Sequence, residues 1–242
     1  MTKEKAKKKT SNGPKQEDAD KRQVRVFEPW IGCSFMQLSD TWSVLREEYI
    51  KSEYSTKWMK YFPVRTIPES FWETPLHWNA SCKKLRKRIT VFHGNICDWT
   101  DPLAKSTWRT RLWNLIRETS ELDWILVTEH PERIKKCLPK DWGNGYDNVC
   151  LGVRFSEDQF HRASKLLSIP SKKRLAMING VVDPYDIDWL DKFEMLGFCE
   201  VPVSAMWAPL DFSNVDDEFS GLGIPLLIPD GEGYKVVECG IS

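Results

Sequence analysis

The chain has no long apolar run, no net charge and no cysteine pair at metal-binding spacing. None of its 242 residues lies in an apolar run long enough for a membrane-spanning helix, which needs about 20 residues. Lysines near the start have no apolar segment behind them, which argues against a secretory signal. The 35 basic residues equal the 35 acidic ones, so any attraction to nucleic acid has to come from a local patch. The cysteines number seven, are scattered, and include no C-x-x-C. That excludes the disulfide framework of a small secreted domain and fits free thiols in a reducing cytosol. There is no G-x-x-x-x-G-K-[ST] loop, no G-x-G-x-x-G after a strand and no H-E-x-x-H, so nucleotide-loop and zincin chemistry have no support. The glycines of "WGNGYDN" (142–148) precede a strand and read as a turn. His93 and Cys97 would share a metal only from a helix, and the apolar run before them argues for a strand instead.

What is present suits a globular fold. Hydrophobic residues make up 41% and charged residues 29%, enough for a sizeable core. The twelve tryptophans read first as core residues, with an aromatic binding surface as the alternative. Residues 1–23 carry almost no large apolar side chain, so a disordered, lysine-rich tail is expected there. Residues 24–242 read as a single domain. A helix is expected within 39–60, and residues 61–80, with three prolines, read as an extended connection.

Thereafter strands and helices alternate. Strands are expected at 88–94, 123–128, 148–155 and 173–179, and shorter ones at 199–205 and 224–229. Helices are expected at 103–120, from Pro131, at 156–168 with Ser156 as its cap, and at 183–193. Apolar strands alternating with helices imply a parallel sheet with helical crossovers. The expected fold is α/β, an incomplete parallel βα barrel.

In such folds ligands bind at the carboxyl ends of the strands. The candidate pocket residues there are His93, Asn95, Asp98, Thr128, Glu129, His130, Arg154, Glu157 and Asn179. Glu129, His130 and Glu132 also invite acid–base chemistry, but Pro131-Glu132-Arg133 reads first as a helix start. Lys83, Lys84, Arg86, Lys87 and Arg88, with Trp72, Trp78 and Trp99 nearby, form a candidate nucleic-acid patch.

Five segments in order resemble those of a bacteriophage-associated family of uncharacterised proteins that is similar to radical S-adenosylmethionine (SAM) enzymes. "EPWIGC" (28–33) resembles the opening of its three-cysteine motif. "ETPLHW" (73–78), "ITVFHGNICDW" (89–99), "ILVTEHPERI" (125–134) and "NVCLGVRFSEDQ" (148–159) resemble its later motifs. The resemblance implies a radical-SAM-like barrel with a [4Fe–4S] cluster and SAM.

The departures point away from that chemistry. With Cys33 on the first cysteine, Asp40 and Ser43 stand where the other two belong, and iron–sulfur clusters are held by thiolates. Thr128-Glu129-His130 replaces a T-K-R sequence, and Asn179 stands about where the family has a carboxylate. The expected function is therefore a catalytically inactive, radical-SAM-like phage or mobile-element protein that binds a protein or nucleic acid and needs no cofactor. A divergent iron–sulfur/SAM enzyme and a nucleic-acid-binding module are the alternatives.

Overall fold

Strands such as Val-Cys-Leu-Gly-Val-Arg-Phe-Ser (149–156) are apolar at nearly every position because both faces of the sheet are covered. The computed structural model describes residues 22–31, 65–94, 97–156, 159–179, 192–199, 225–230 and 233–237. In chain order the elements are β1 (Arg22–Val26), β2 (Trp30–Ile31), β3 (Arg65–Thr66), α1 (Glu69–Trp72), α2 (Thr74–Leu85) and β4 (Ile89–His93). Then come α3 (Ser106–Glu118), β5 (Leu122–Thr128), a 3-10 turn (Pro131–Arg133), α4 (Ile134–Cys137), β6 (Val149–Ser156) and α5 (His161–Leu167). The last are β7 (Lys173–Asn179), β8 (Met195–Cys199), β9 (Leu226–Asp230) and β10 (Gly233–Val237).

Eight strands form a barrel-like sheet in the order β1-β10-β9-β8-β7-β6-β5-β4, with β4 pairing back to β1. Every neighbouring pair is parallel except the two made by β10. The sheet thus runs further round than the incomplete barrel expected from the sequence. β1 and β10 account for the difference. β1 begins at Arg22, inside the stretch expected to be disordered, where Arg22 and Gln23 pair with Val236 and Lys235. Residues 1–21 and the helix expected within 39–60 lie outside the described residues.

Period-two alternation divides the apolar side chains between two cores. Val24, Phe92, Ile125, Val127, Leu175, Met177, Leu227 and Val236 pack together inside the barrel. Val91, Trp124, Leu126, Leu151, Val153, Ala176 and Ile178 face outward, in one core with Leu112, Trp113 and Ile116 of α3 and Ala163 and Leu166 of α5. The interior is filled. A Cβ on Gly152 would lie 2.8 Å from Val127 Cγ2 and 3.2 Å from Leu175 Cδ2.

Two local expectations are corrected. Residues 61–80 include helix rather than only extended chain, because Pro68 is the N-cap of α1 and Pro75 occupies the start of α2, where a missing N–H costs nothing. A strand is present at Met195–Cys199, where Gly197 fits against Leu175 and Met177; of the strand expected at 199–205 the rest lies outside the described residues. Ser156 is the last residue of β6 and pairs with Asn179, so the strand runs through the position expected to cap a helix. The helix expected at 183–193 falls almost wholly outside the described residues.

The six tryptophans buried among the described residues (Trp30, Trp72, Trp99, Trp113, Trp124 and Trp142) fit the core reading. Among the described residues no helix is long and apolar enough to cross a membrane.

Candidate functional site

Parallel pairing puts the ends of β1, β4, β5 and β6 on one rim of the barrel. Three side chains meet there. β1 leads into Phe27 and Glu28, β4 ends at His93, and Cys97 follows in the next loop. One ligand-type atom from each of Glu28, His93 and Cys97 lies within 4.8 Å of the others.

The chain fixes each of the three. Gly94 turns at φ 120°, where its amide donates to Glu28 Oε1 at 3.1 Å. A Cβ on Gly94 would meet the Val127 carbonyl oxygen at 2.6 Å, so glycine is required there. His93 is fully buried, with its Nδ1 3.1 Å from the Phe27 carbonyl oxygen and 3.4 Å from Glu28 Oε2. A carbonyl only accepts, so Nδ1 is the donor in that contact. Trp30 meets the imidazole edge-to-face at 5.4 Å between centroids. Cys97 Sγ lies 3.6 Å from Nδ1 and 3.9 Å from Nε2, and its thiol donates to Glu28 Oε2.

This convergence overturns the expectation that His93 and Cys97 could share a ligand only from a helix. A strand end followed by a glycine turn folds Cys97 back over His93. Glu28 was not singled out in the sequence reading. Its one signal is its place in "EPWIGC", directly after an apolar strand.

A second cluster uses the outward face of the same rim. Asp98 Oδ1 accepts from the Thr100 amide and hydroxyl, each at 2.8 Å. Its Oδ2 accepts from the Thr128 hydroxyl at 2.8 Å and the Glu129 amide at 3.1 Å. The carboxylate joins two loops and is saturated by them, which assigns Asp98 a structural task. The His130 amide donates to Thr128 Oγ1, and Arg133 Nε donates to the Thr100 carbonyl. Pro131–Arg133 forms the 3-10 turn that precedes α4, as the helix-start reading expects. His130 Nδ1 is 3.3 Å from Glu132 Oε1.

Arg154 shares its strand parity with Cys150 and Gly152 and sits over the interior core. Its Nη2 donates to the Gly94 carbonyl at 3.0 Å, and its Nη1 is 3.9 Å from Glu129 Oε1. The rim therefore gathers His93, Asp98, Thr128, Glu129, His130 and Arg154. Asn179 ends β7 at the same rim, opposite Cys199. Asn95, Glu157, Cys33, Asp40 and Ser43 lie outside the described residues.

The basic stretch sits at the other end of the barrel, before β4. Lys83, Lys84, Arg86 and Lys87 are exposed. Arg88 is engaged with Asp123 through two hydrogen bonds of 2.9 and 3.0 Å, and its pKa is raised by that carboxylate. Trp72 and Trp99 are buried and Trp78 packs against the core, so these rings are not a stacking surface beside the cations.

Burial raises the thiols of Cys82 and Cys137, and pushes Cys150, inside the barrel, up to about 12.

The family of proteins of unknown function DUF5131 matches residues 22–215. The chain belongs to that family. The DUF5131 match takes in every rim residue named above, from Glu28 to Cys199. No curated protein and no solved structure matches the chain.

Proposed function

We propose that this DUF5131 protein is a catalytically inactive, radical-SAM-like barrel, retained as a binding or scaffold protein of a phage or mobile element. The observation that carries this reading is the donor set at the rim. Among the described cysteine side chains, Cys97 alone belongs to it. Its neighbours there are an imidazole and a carboxylate. A [4Fe–4S] cluster takes thiolates, and Asp40 and Ser43 stand where two further cysteines would be needed. These residues do not fit a cluster.

The other rim groups support the same reading. Asp98 and Arg154 are tied to loop atoms and to Glu129. A charged cofactor would have to displace those contacts, whereas a macromolecular partner can rest on them as they stand.

The test is iron and sulfide content, with the visible spectrum, after anaerobic reconstitution of wild type and a Cys33→Ala variant. The reading expects colourless proteins with matching unfolding curves. Stoichiometric iron and sulfide that are lost with Cys33→Ala would overturn it in favour of an iron–sulfur/SAM enzyme.

The four exposed cations at 83–87 favour one second reading, a nucleic-acid-binding module. It expects binding that weakens steeply with salt and with charge removal at Lys83, Lys84, Arg86 and Lys87. Removal of residues 1–21 tests the tail without cutting β1.

A further inference from the structure

We propose that Glu28, His93 and Cys97 form a binding site for a divalent transition metal, zinc by preference. The inference is independent of how the rest of the rim is used, and it departs from the expectation of a protein without cofactors.

The spacing fits. Zinc binds sulfur at about 2.3 Å and nitrogen or oxygen at about 2.0–2.2 Å, so neighbouring ligand atoms of a tetrahedron stand about 3.4–3.8 Å apart. Cys97 Sγ is 3.6 and 3.9 Å from the two imidazole nitrogens. The ligand atoms of Glu28, His93 and Cys97 all lie within 4.8 Å of one another. Cys97 Sγ and Glu28 Oε2 are held at 2.5 Å by the thiol proton they share, and a metal would replace that proton and part the two atoms to ligand spacing.

The surroundings fit as well. Ligating histidines generally donate their other N–H to a carbonyl or carboxylate, and ligating carboxylates accept an outer hydrogen bond. His93 Nδ1 donates to the Phe27 carbonyl, which leaves Nε2 as the ligand, and the Gly94 amide holds Glu28 Oε1. The ring of Trp30 limits rotation of the imidazole. His93 and Cys97 are buried, and the Glu28 side chain is only 9% exposed. A set of one nitrogen, one oxygen and one sulfur is too soft for magnesium or calcium and suits zinc. Among the described residues three side chains supply ligand atoms.

On binding, the Cys97 thiol loses its proton to solvent and its sulfur forms the metal bond. No electron is transferred, since zinc is redox-inert.

The test uses the full chain, free of any histidine tag and stripped with chelator, titrated with zinc and with cobalt(II). Wild type is expected to take up about one metal per chain and to show a thiolate-to-cobalt charge-transfer band and a higher unfolding midpoint with zinc. Cys97→Ser is expected to lose the band, and Glu28→Gln to weaken zinc by about tenfold or more. Cys82→Ser serves as the thiol control and is expected to change neither. Circular dichroism of each metal-free variant separates lost ligation from lost folding. The proposal fails if wild type binds no stoichiometric zinc or cobalt. It fails equally if the cobalt complex lacks the thiolate band, or if folded Cys97→Ser and Glu28→Gln bind zinc as wild type does.

Discussion

The two ends of the barrel use polar residues in opposite ways. At the amino ends of the strands charges pair in the open. Arg88 meets Asp123 and Glu121, Arg117 meets Asp141, and Lys172 meets Asp147, mostly on half-exposed or exposed side chains. At the carboxyl ends, His93, Asp98, Thr100, Thr128 and Arg154 are buried and held by hydrogen bonds to defined partners. Exposed pairs contribute little because water and salt screen them. A buried polar group that loses its partner costs far more. The amino end can therefore vary its charges freely. The carboxyl end holds one geometry, which is what a binding site needs.

The sharpest way to break this contrast is Gly94→Ala. The new Cβ would stand against the Val127 carbonyl, on a backbone at φ 120°, and a loss of about 3 kcal/mol is expected in equilibrium unfolding. A cost below about 1 kcal/mol would mean that the rim relaxes easily. Asp98→Ala comes next, at about 2–3 kcal/mol, because the amides of Thr100 and Glu129 lose their acceptor. Asp98→Asn should recover part of that in the same denaturant titration.

Gly152→Ala probes the interior between the two ends. It crowds side chains rather than backbone, and about 1–2 kcal/mol is expected. Arg88→Ala, on a side chain 43% exposed, should cost less than about 1 kcal/mol, and less still in high salt. An equal cost for Arg88 and Asp98 would remove the distinction between the ends.

Cys150 sharpens the picture with an effect that is absent at neutral pH. Its thiol is raised from 9.0 to about 12 by burial. Between those values the unfolded chain has released the proton and the folded chain retains it. Its contribution to stability is therefore whole below pH 9 and is lost as pH rises through about 12. Alkaline unfolding of Cys150→Ala should lack this component. A thiol reagent at pH 8 should leave Cys150 unmodified in the folded protein.

Much of the barrel was legible in the chain. The strands β4 to β7 are continuous apolar runs divided by helices, a pattern that requires coverage on both faces. β8 was not read ahead of Cys199 because Gly197 interrupts its apolar run, and glycine fits there because Leu175 and Met177 of the neighbouring β7 come close. β1 and β10 were missed because Arg-Gln-Val-Arg-Val and Gly-Tyr-Lys-Val-Val are short and half polar. Neither has a strong preference of its own, and each becomes a strand through pairing with the other and with β4 and β9.

The site divides along the same line. The polar residues at strand ends were readable one segment at a time, since alternation alone places them on a rim. Glu28 and His93 are 65 positions apart in sequence, and no local rule relates them. Their meeting with Cys97 depends on the parallel pairing of β1 with β4 and on the turn at Gly94. The chain by itself determined the strands β4 to β7 and their polar ends, because burial and periodicity act over a few residues. Only the closing of the sheet decided which of those ends are neighbours, because that depends on contacts between residues far apart in the chain.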